Sequence, residues 1–242
     1  MQSYKYLASI YDECMYDVEY SEWYNYIKSL LDENNVQGEV LETACGTGNI
    51  TQFLAKDYDV VAADISEEML NIATEKLMQN GRKARFITAD MSDFRRDKKF
   101  GAVVSAMDGV NYLTENASDF FACAYDNLKP GGVLLFDISS AYKLSEVIGN
   151  EFFYDDGEDV TYLWTNEFAK PLLYMNITMF IKQQTKEYLR YDEQHVQRAY
   201  EKEEIISMLE KAGFNEIKVY GFLTKDAPAS DAQRLQFIAK KG

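Results

Sequence analysis

The stretch that most constrains the fold is VLETACGTGNITQFL, residues 40–54. An apolar run ends in Glu42, turns through Gly46-Thr47-Gly48 and enters an amphipathic segment. A strand that turns through glycines into a helix brings backbone N–H groups and a carboxylate to the carboxyl edge of a sheet, where doubly wound folds bind nucleotides. A second acid, Asp64, ends the next apolar run, DVVAAD (59–64), at 64 − 46 = 18 residues beyond the first glycine. From that position a carboxylate takes both hydroxyls of a ribose. The ligand implied by the pair carries a ribose.

The remaining chain repeats the alternation. After DVVAAD, the segment SEEMLNIATEKLMQNG predicts a helix that opens on Ser66 with acids in its first turn and closes at Gly81. GNITQFLAKD before it also predicts a helix. Strands are expected over 84–90, 100–108 and 131–139, with a helix near 116–128. Strand–helix alternation at this spacing predicts an α/β fold built on a doubly wound parallel sheet. Residues 150–200 instead carry period-2 runs, with turn residues at Asp156-Gly157 and Thr185-Lys186, and predict an inserted antiparallel sheet acting as a lid. A closing helix over 201–212, ended by Gly213, precedes two strands, IKVYGFL and QRLQFIAKK, close enough in sequence to pair antiparallel. One domain over 1–242 is expected: a helical cap (1–36), a cofactor-binding core (37–140), the lid (150–200) and the closing elements (201–242).

Composition narrows the function. Of 242 residues, 47% are hydrophobic, enough for one full core, while the longest apolar runs, such as GGVLLF, are too short for a membrane span. The N-terminal residues lack the basic start and apolar block of a leader, so a cytoplasmic location is expected. Cys14, Cys45 and Cys123 lie far apart and there is one histidine, which argues against a disulfide framework and a metal site. A formal charge of −15 disfavours a nucleic-acid partner despite RRDKK at 95–99.

The loop also selects among nucleotides. A dinucleotide fingerprint needs Gly or Ala at position 51, where Thr51 stands, and no phosphate-binding Gly-Lys-Ser/Thr is present. An acid at position 42 suits a cationic ligand better than a pyrophosphate. S-adenosylmethionine satisfies these demands, with a ribose, a sulfonium and an ammonium.

On these residues the chain resembles the class I S-adenosylmethionine-dependent methyltransferases. VLETACGTG matches their first motif, VVAADISEEML the ribose-binding acid and following helix, FITADMSDF the adenine-contacting segment, and LKPGGVLLFDIS the fifth strand. YLASIYDECM and DGVNYL are similar to a bacterial small-molecule branch that includes sugar N,N-dimethyltransferases and glycine N-methyltransferase-like enzymes. One departure is Ala44, where the common motif has Gly. The resemblance implies a seven-stranded, mostly parallel Rossmann-like sheet. It further implies that Glu42, Ala44, Gly46 and Gly48 line the methionine part and Asp64 holds the ribose. Ile65, Met69, Asp90 and Met91 would surround the adenine, and Met107 and Tyr11 would close over the cofactor.

Methyl transfer needs alignment and the removal of water rather than a nucleophilic residue. An amine acceptor must lose a proton, and Asp108, at the end of the fourth strand, is the first candidate to accept it. Asn111 and Tyr112 stand beside it to orient an acceptor, and Trp164 belongs to the lid wall. His195 is a second catalytic candidate, although a lone histidine is more often structural. Tyr4, Tyr6 and Trp23 are read as helix packing, because their segment is aromatic throughout. The reading favours a small-molecule acceptor, at nitrogen more than oxygen. RNA or protein methylation stays open, as does a nicotinamide-dependent oxidoreductase or a non-catalytic cofactor-binding module, and the oligomeric state is monomer or dimer.

Overall fold

In the computed structural model, residue 4 and residues 6–242 are described. The N-terminal part holds a one-turn helix α1 (Tyr11–Cys14) and the longer α2 (Tyr20–Glu33). Then follow β1 (Val40–Thr43), α3 (Thr51–Leu54), β2 (Val60–Asp64), α4 (Glu67–Gln79), β3 (Arg85–Thr88), β4 (Phe100–Ser105), α5 (Ala117–Asn127) and β5 (Leu128–Ser139). After a π-helical turn at Lys143–Ile148 come four strands, β6 (Phe152–Asp156), β7 (Val160–Ala169), β8 (Leu172–Lys182) and β9 (Tyr188–Arg198). The chain ends with α6 (Lys202–Ala212), β10 (Phe214–Tyr220) and β11 (Arg234–Lys241).

Seven strands form one sheet in the order β10-β11-β5-β4-β1-β2-β3, parallel except for β11, which runs antiparallel to both its neighbours. The direction of winding reverses between β1 and β4, so the loops that follow these two strands part at the carboxyl edge and leave a crevice there. Both faces of the sheet are buried. Along β2, Val61 and Ala63 enter one core with Phe120 and Phe121 of α5, while Val60 and Ala62 enter the other with Leu30 and Leu31 of α2. That two-sided burial explains why the parallel strands read as continuous apolar runs rather than as alternations.

Local chemistry sets the boundaries. Ser66 caps α4 by accepting the Met69 N–H at 3.2 Å, as the sequence predicts. The helix expected over GNITQFLAKD is cut to one regular turn: 3-10 bonds from Phe53 to Ile50 and from Lys56 to Phe53 interrupt it on either side. Just before it Asn49 donates to Asp12 at 2.8 Å.

The inserted strands form an antiparallel meander, β6-β7-β8-β9, as the period-2 pattern predicts. On β9 the buried face carries Glu193, His195 and Gln197 at alternate positions. Polar residues on the inward face of a strand need partners, and these three find them in the core and in the N-terminal segment.

Candidate functional site

The crevice holds a cavity of about 520 Å³. From β1 and its loop come Glu42, Ala44 and Gly46; from β2 and the start of α4, Asp64, Ile65 and Met69; from the segment after β3, Asp90 and Met91. Met107 enters after β4, and Tyr4, Tyr11 and Tyr20 close the cavity from the N-terminal side. Gly48, expected to touch the cofactor, lies outside it. A side chain there would meet Ala73 Cβ at 3.0 Å, so Gly48 lets α4 approach the loop instead.

The two acids differ in their bonding. Asp64 accepts the N–H groups of Gly46 at 2.8 Å and of Ser66 at 2.9 Å, which orient its carboxylate across the loop, and burial raises its pKa. Glu42 is buried, and its Oε2 has no hydrogen-bond partner among the described residues. Burial, reinforced by the nearby Asp64, pushes its carboxyl up to about 8 against the lowering influence of the adjacent Thr51 hydroxyl. A buried carboxylate oxygen without a donor is costly unless a ligand supplies one. Ile65 is an apolar side chain left 66% exposed at the rim, which suits a planar apolar ring laid against it. Asp90 is exposed and accepts both the N–H and the hydroxyl of Ser92 on Oδ1, at 2.8 and 2.6 Å. A cation-seeking acid beside a ribose-seeking acid, with no phosphate cradle, fits S-adenosylmethionine.

A second cavity, of about 260 Å³, lies between the crevice and the lid. It brings Asp108 and Tyr112 together with Trp164 of β7 and His195 of β9. Tyr4, Tyr11, Met107 and Tyr112 line both cavities and so stand at the junction between them. Tyr4 is therefore more than the helix packing read from its aromatic surroundings. Tyr6 stacks on Tyr191 of the lid with ring centroids 4.4 Å apart, and Trp23 is buried, edge-on to Phe222 and beneath the Arg234 guanidinium.

Asp108 is tied down. Its carboxylate pairs with Arg234 at 2.8 Å and accepts Gln197 Nε2 at 2.8 Å. Met107 and Asp108 both hold left-handed backbone, φ +65° and +56°, a conformation that costs non-glycine residues roughly 1–2 kcal/mol each. Asp137 offsets that cost by accepting the N–H groups of Met107 at 2.6 Å and Asp108 at 3.0 Å, and it pairs with Arg234 as well. Asn111, expected to orient an acceptor, lines neither cavity. Its amide is consumed by backbone: it donates to Ser139 O at 3.0 Å and Arg198 O at 2.9 Å and accepts from Ser139 N at 2.9 Å, which clasps the end of β9 onto the core.

His195 belongs to a chain of bonds. Its Nε2 faces Glu193 Oε2 at 3.1 Å and its Nδ1 faces the Tyr112 hydroxyl at 3.4 Å, which in turn accepts from the Tyr4 hydroxyl at 2.6 Å. Glu193 also accepts backbone N–H groups of Tyr4, Tyr6 and Leu7. Burial would raise its pKa, but these bonds and His195 outweigh burial and hold it below the usual range. Burial keeps the phenols of Tyr4 and Tyr112 above their ordinary value, so they remain neutral donors. Glu193, Gln197 and Arg234 did not emerge from the sequence. The available signal was the run Glu193, His195, Gln197, three polar residues at strand period facing one side.

A nucleoside-binding α/β enzyme with a cation-accepting acid and a second, adjoining cavity is the class that fold and site define. Residues 40–132 match the family model described as a methyltransferase domain. The Bacillus subtilis (strain 168) protein YqeM, which carries the methyltransferase designation with no acceptor in its name, is 37% identical over 98% of this chain and 97% of its own length. The crystal structure of an S-adenosylmethionine-dependent methyltransferase from Clostridium acetobutylicum superposes with a TM-score of 0.90 at 34% identity, covering 100% of both chains. A Streptomyces venezuelae dTDP-3-amino-3,4,6-trideoxy-alpha-D-glucopyranose N,N-dimethyltransferase is 37% identical over 40% of this chain and 41% of its own. The chain belongs to the S-adenosylmethionine-dependent methyltransferases. Its cofactor is S-adenosylmethionine.

Proposed function

We propose that this methyltransferase acts on the nitrogen of a small molecule held in the second cavity. The observation that carries the reading is the junction: a cavity of about 260 Å³, at the low end for ligand sites, adjoins the cofactor cavity at Tyr4, Tyr11, Met107 and Tyr112. The name of the Streptomyces relative, an N,N-dimethyltransferase of an amino sugar nucleotide, supports nitrogen as the target.

Glu42 Oε2 would take the ammonium of the methionine part and Asp64 the ribose hydroxyls. Ala44 and Gly46 would border the methionine chain, while Ile65, Met69 and Met91 would flank the adenine, with Asp90 at its edge. When bound, the cofactor supplies a methyl group activated by its sulfonium, so the protein's task is alignment, exclusion of water and removal of one proton. The tyrosines at the junction seal it and offer neutral hydroxyls to the acceptor nitrogen. In this reading Glu193 holds the proton on His195 Nε2, leaving Nδ1 with a lone pair toward Tyr112. A proton shed by the amine passes through the Tyr112 hydroxyl to Nδ1, and Glu193 stabilises the imidazolium. Asp108, the first candidate from sequence, becomes a positioning residue, because Arg234 and Gln197 already occupy its carboxylate.

The acceptor's size class is tested by incubating the enzyme with methyl-labelled S-adenosylmethionine and a cell extract split by ultrafiltration. Label in the small-molecule fraction supports the proposal. Label confined to RNA or protein overturns it.

A further inference from the structure

Charge and hydrogen-bonding in the second cavity are unbalanced in one direction. Among the described residues two cationic side chains line it, Arg234 and Lys143. Arg234 is matched by Asp108 and Asp137. Lys143, on the π-helical turn at Lys143–Ile148, is partly buried, and its ammonium enters no hydrogen bond or ion pair among the described residues. Burial, aided by Arg234, lowers its pKa against the pull of Asp108 and Asp137. A second donor in the same cavity is also without an acceptor: Trp164 Nε1 is buried and has no partner among the described residues. The buried acceptor atoms left unpartnered, among them Glu42 Oε2 and Ser105 Oγ, belong to side chains that do not line this cavity. Two unmet donors, one of them cationic, and no unmet buried acceptor among the described lining residues call for an oxygen-rich anion. Tyr162, Met175 and Ile177 add aromatic and apolar wall for the rest of the molecule.

We propose that the methyl acceptor carries an anionic oxygen group, a carboxylate or a phosphate, bound in the second cavity by the Lys143 ammonium and the Trp164 indole N–H. The inference rests on reading that cavity as the acceptor site. It makes the acceptor a small amine with an acidic group, oriented by its two ends: nitrogen at the Tyr112 junction, anion at Lys143. Lys143 is thereby a specificity residue rather than a member of the proton path.

The chain has two tryptophans, so the indole N–H groups give two nitrogen-15 resonances, Trp164 in the cavity and Trp23 outside it, its ring beneath Arg234 with 5.2 Å from the guanidinium carbon to the centroid. The protein, saturated with S-adenosylhomocysteine, is titrated with inorganic phosphate, with acetate and with chloride at matched ionic strength. The expected result is a saturable shift of the Trp164 indole with phosphate or acetate, larger than any at Trp23, and none with chloride. The stronger of the two anions identifies the group. Lys143→Met should weaken that binding about tenfold or more, and Lys143→Arg should retain it. No saturable shift with either anion, an equal shift with chloride, or unchanged binding in Lys143→Met overturns the proposal. The acceptor-site reading fails separately, if labelled methyl groups reach no small molecule while the anion still binds.

Discussion

Glu42 and Asp64 are both acids at the carboxyl edge, yet only Glu42 keeps an unmet oxygen, and this difference makes a pH experiment possible. In the unfolded chain a glutamate titrates near about 4.3. In the folded, ligand-free protein burial lifts Glu42 to about 8. The folded state therefore holds the proton over that interval. The stability it contributes is complete below about pH 4.3 and is lost as pH rises through the folded value. A ligand ammonium against Oε2 restores the ionised form. Binding of S-adenosylhomocysteine at pH 7 should thus release a proton, up to about one per site, measured by calorimetry in buffers of different ionisation enthalpy. Glu42→Gln should abolish the release and weaken binding. Wild-type binding without net proton exchange would contradict the assignment.

At the same scale, His195 and Asp108 separate by what each variant damages. His195→Gln should lower turnover about 100-fold, the usual reach of a general base, with S-adenosylhomocysteine affinity retained. Asp108→Asn leaves Arg234 with one carboxylate fewer and should appear as a stability loss of about 3 kcal/mol with turnover less affected. Kinetics and chemical denaturation on the same preparations read both. The reverse pattern would return the proton path to Asp108.

Among elements, the strands and the capped helix α4 were readable because their determinants are local: apolar runs, Ser66 before the acids, glycines at the turns. The site was readable only in its local half. Glu42, Asp64 and Met107 sit at strand ends, where the fold alone says ligands bind. By contrast, Glu193 meets Tyr4 across 189 residues and Gln197 meets Asp108 across 89, pairings fixed by how the lid docks. Nothing in the neighbouring sequence encodes them. Asn111 is the instructive case, for its position after β4 is that of a substrate residue and its amide serves the lid clasp. Asn111→Ala would leave backbone groups of Ser139 and Arg198 unpaired and should cost about 3 kcal/mol in urea unfolding, with faster proteolysis of the β6–β9 strands. A change under about 1 kcal/mol would mean the lid is held elsewhere.

Taken as a whole molecule, the chain joins two sheets with different duties, and we read 1–242 as one functional unit because the second cavity takes its walls from both. The doubly wound sheet presents the cofactor edge, the meander supplies the polar face of β9, and the N-terminal segment, bonded to Glu193, shuts the space between them. Under the proposed function, the enzyme's central event is a transfer across the tyrosine junction to a nitrogen whose proton leaves through the lid. The most direct measurement is carbon-13 NMR of the product formed from S-adenosylmethionine labelled in its methyl group and the small-molecule acceptor. The account predicts a labelled methyl carbon bonded to nitrogen, with the signal lost in Asp64→Ala. A methyl carbon bonded to oxygen or to carbon would contradict it.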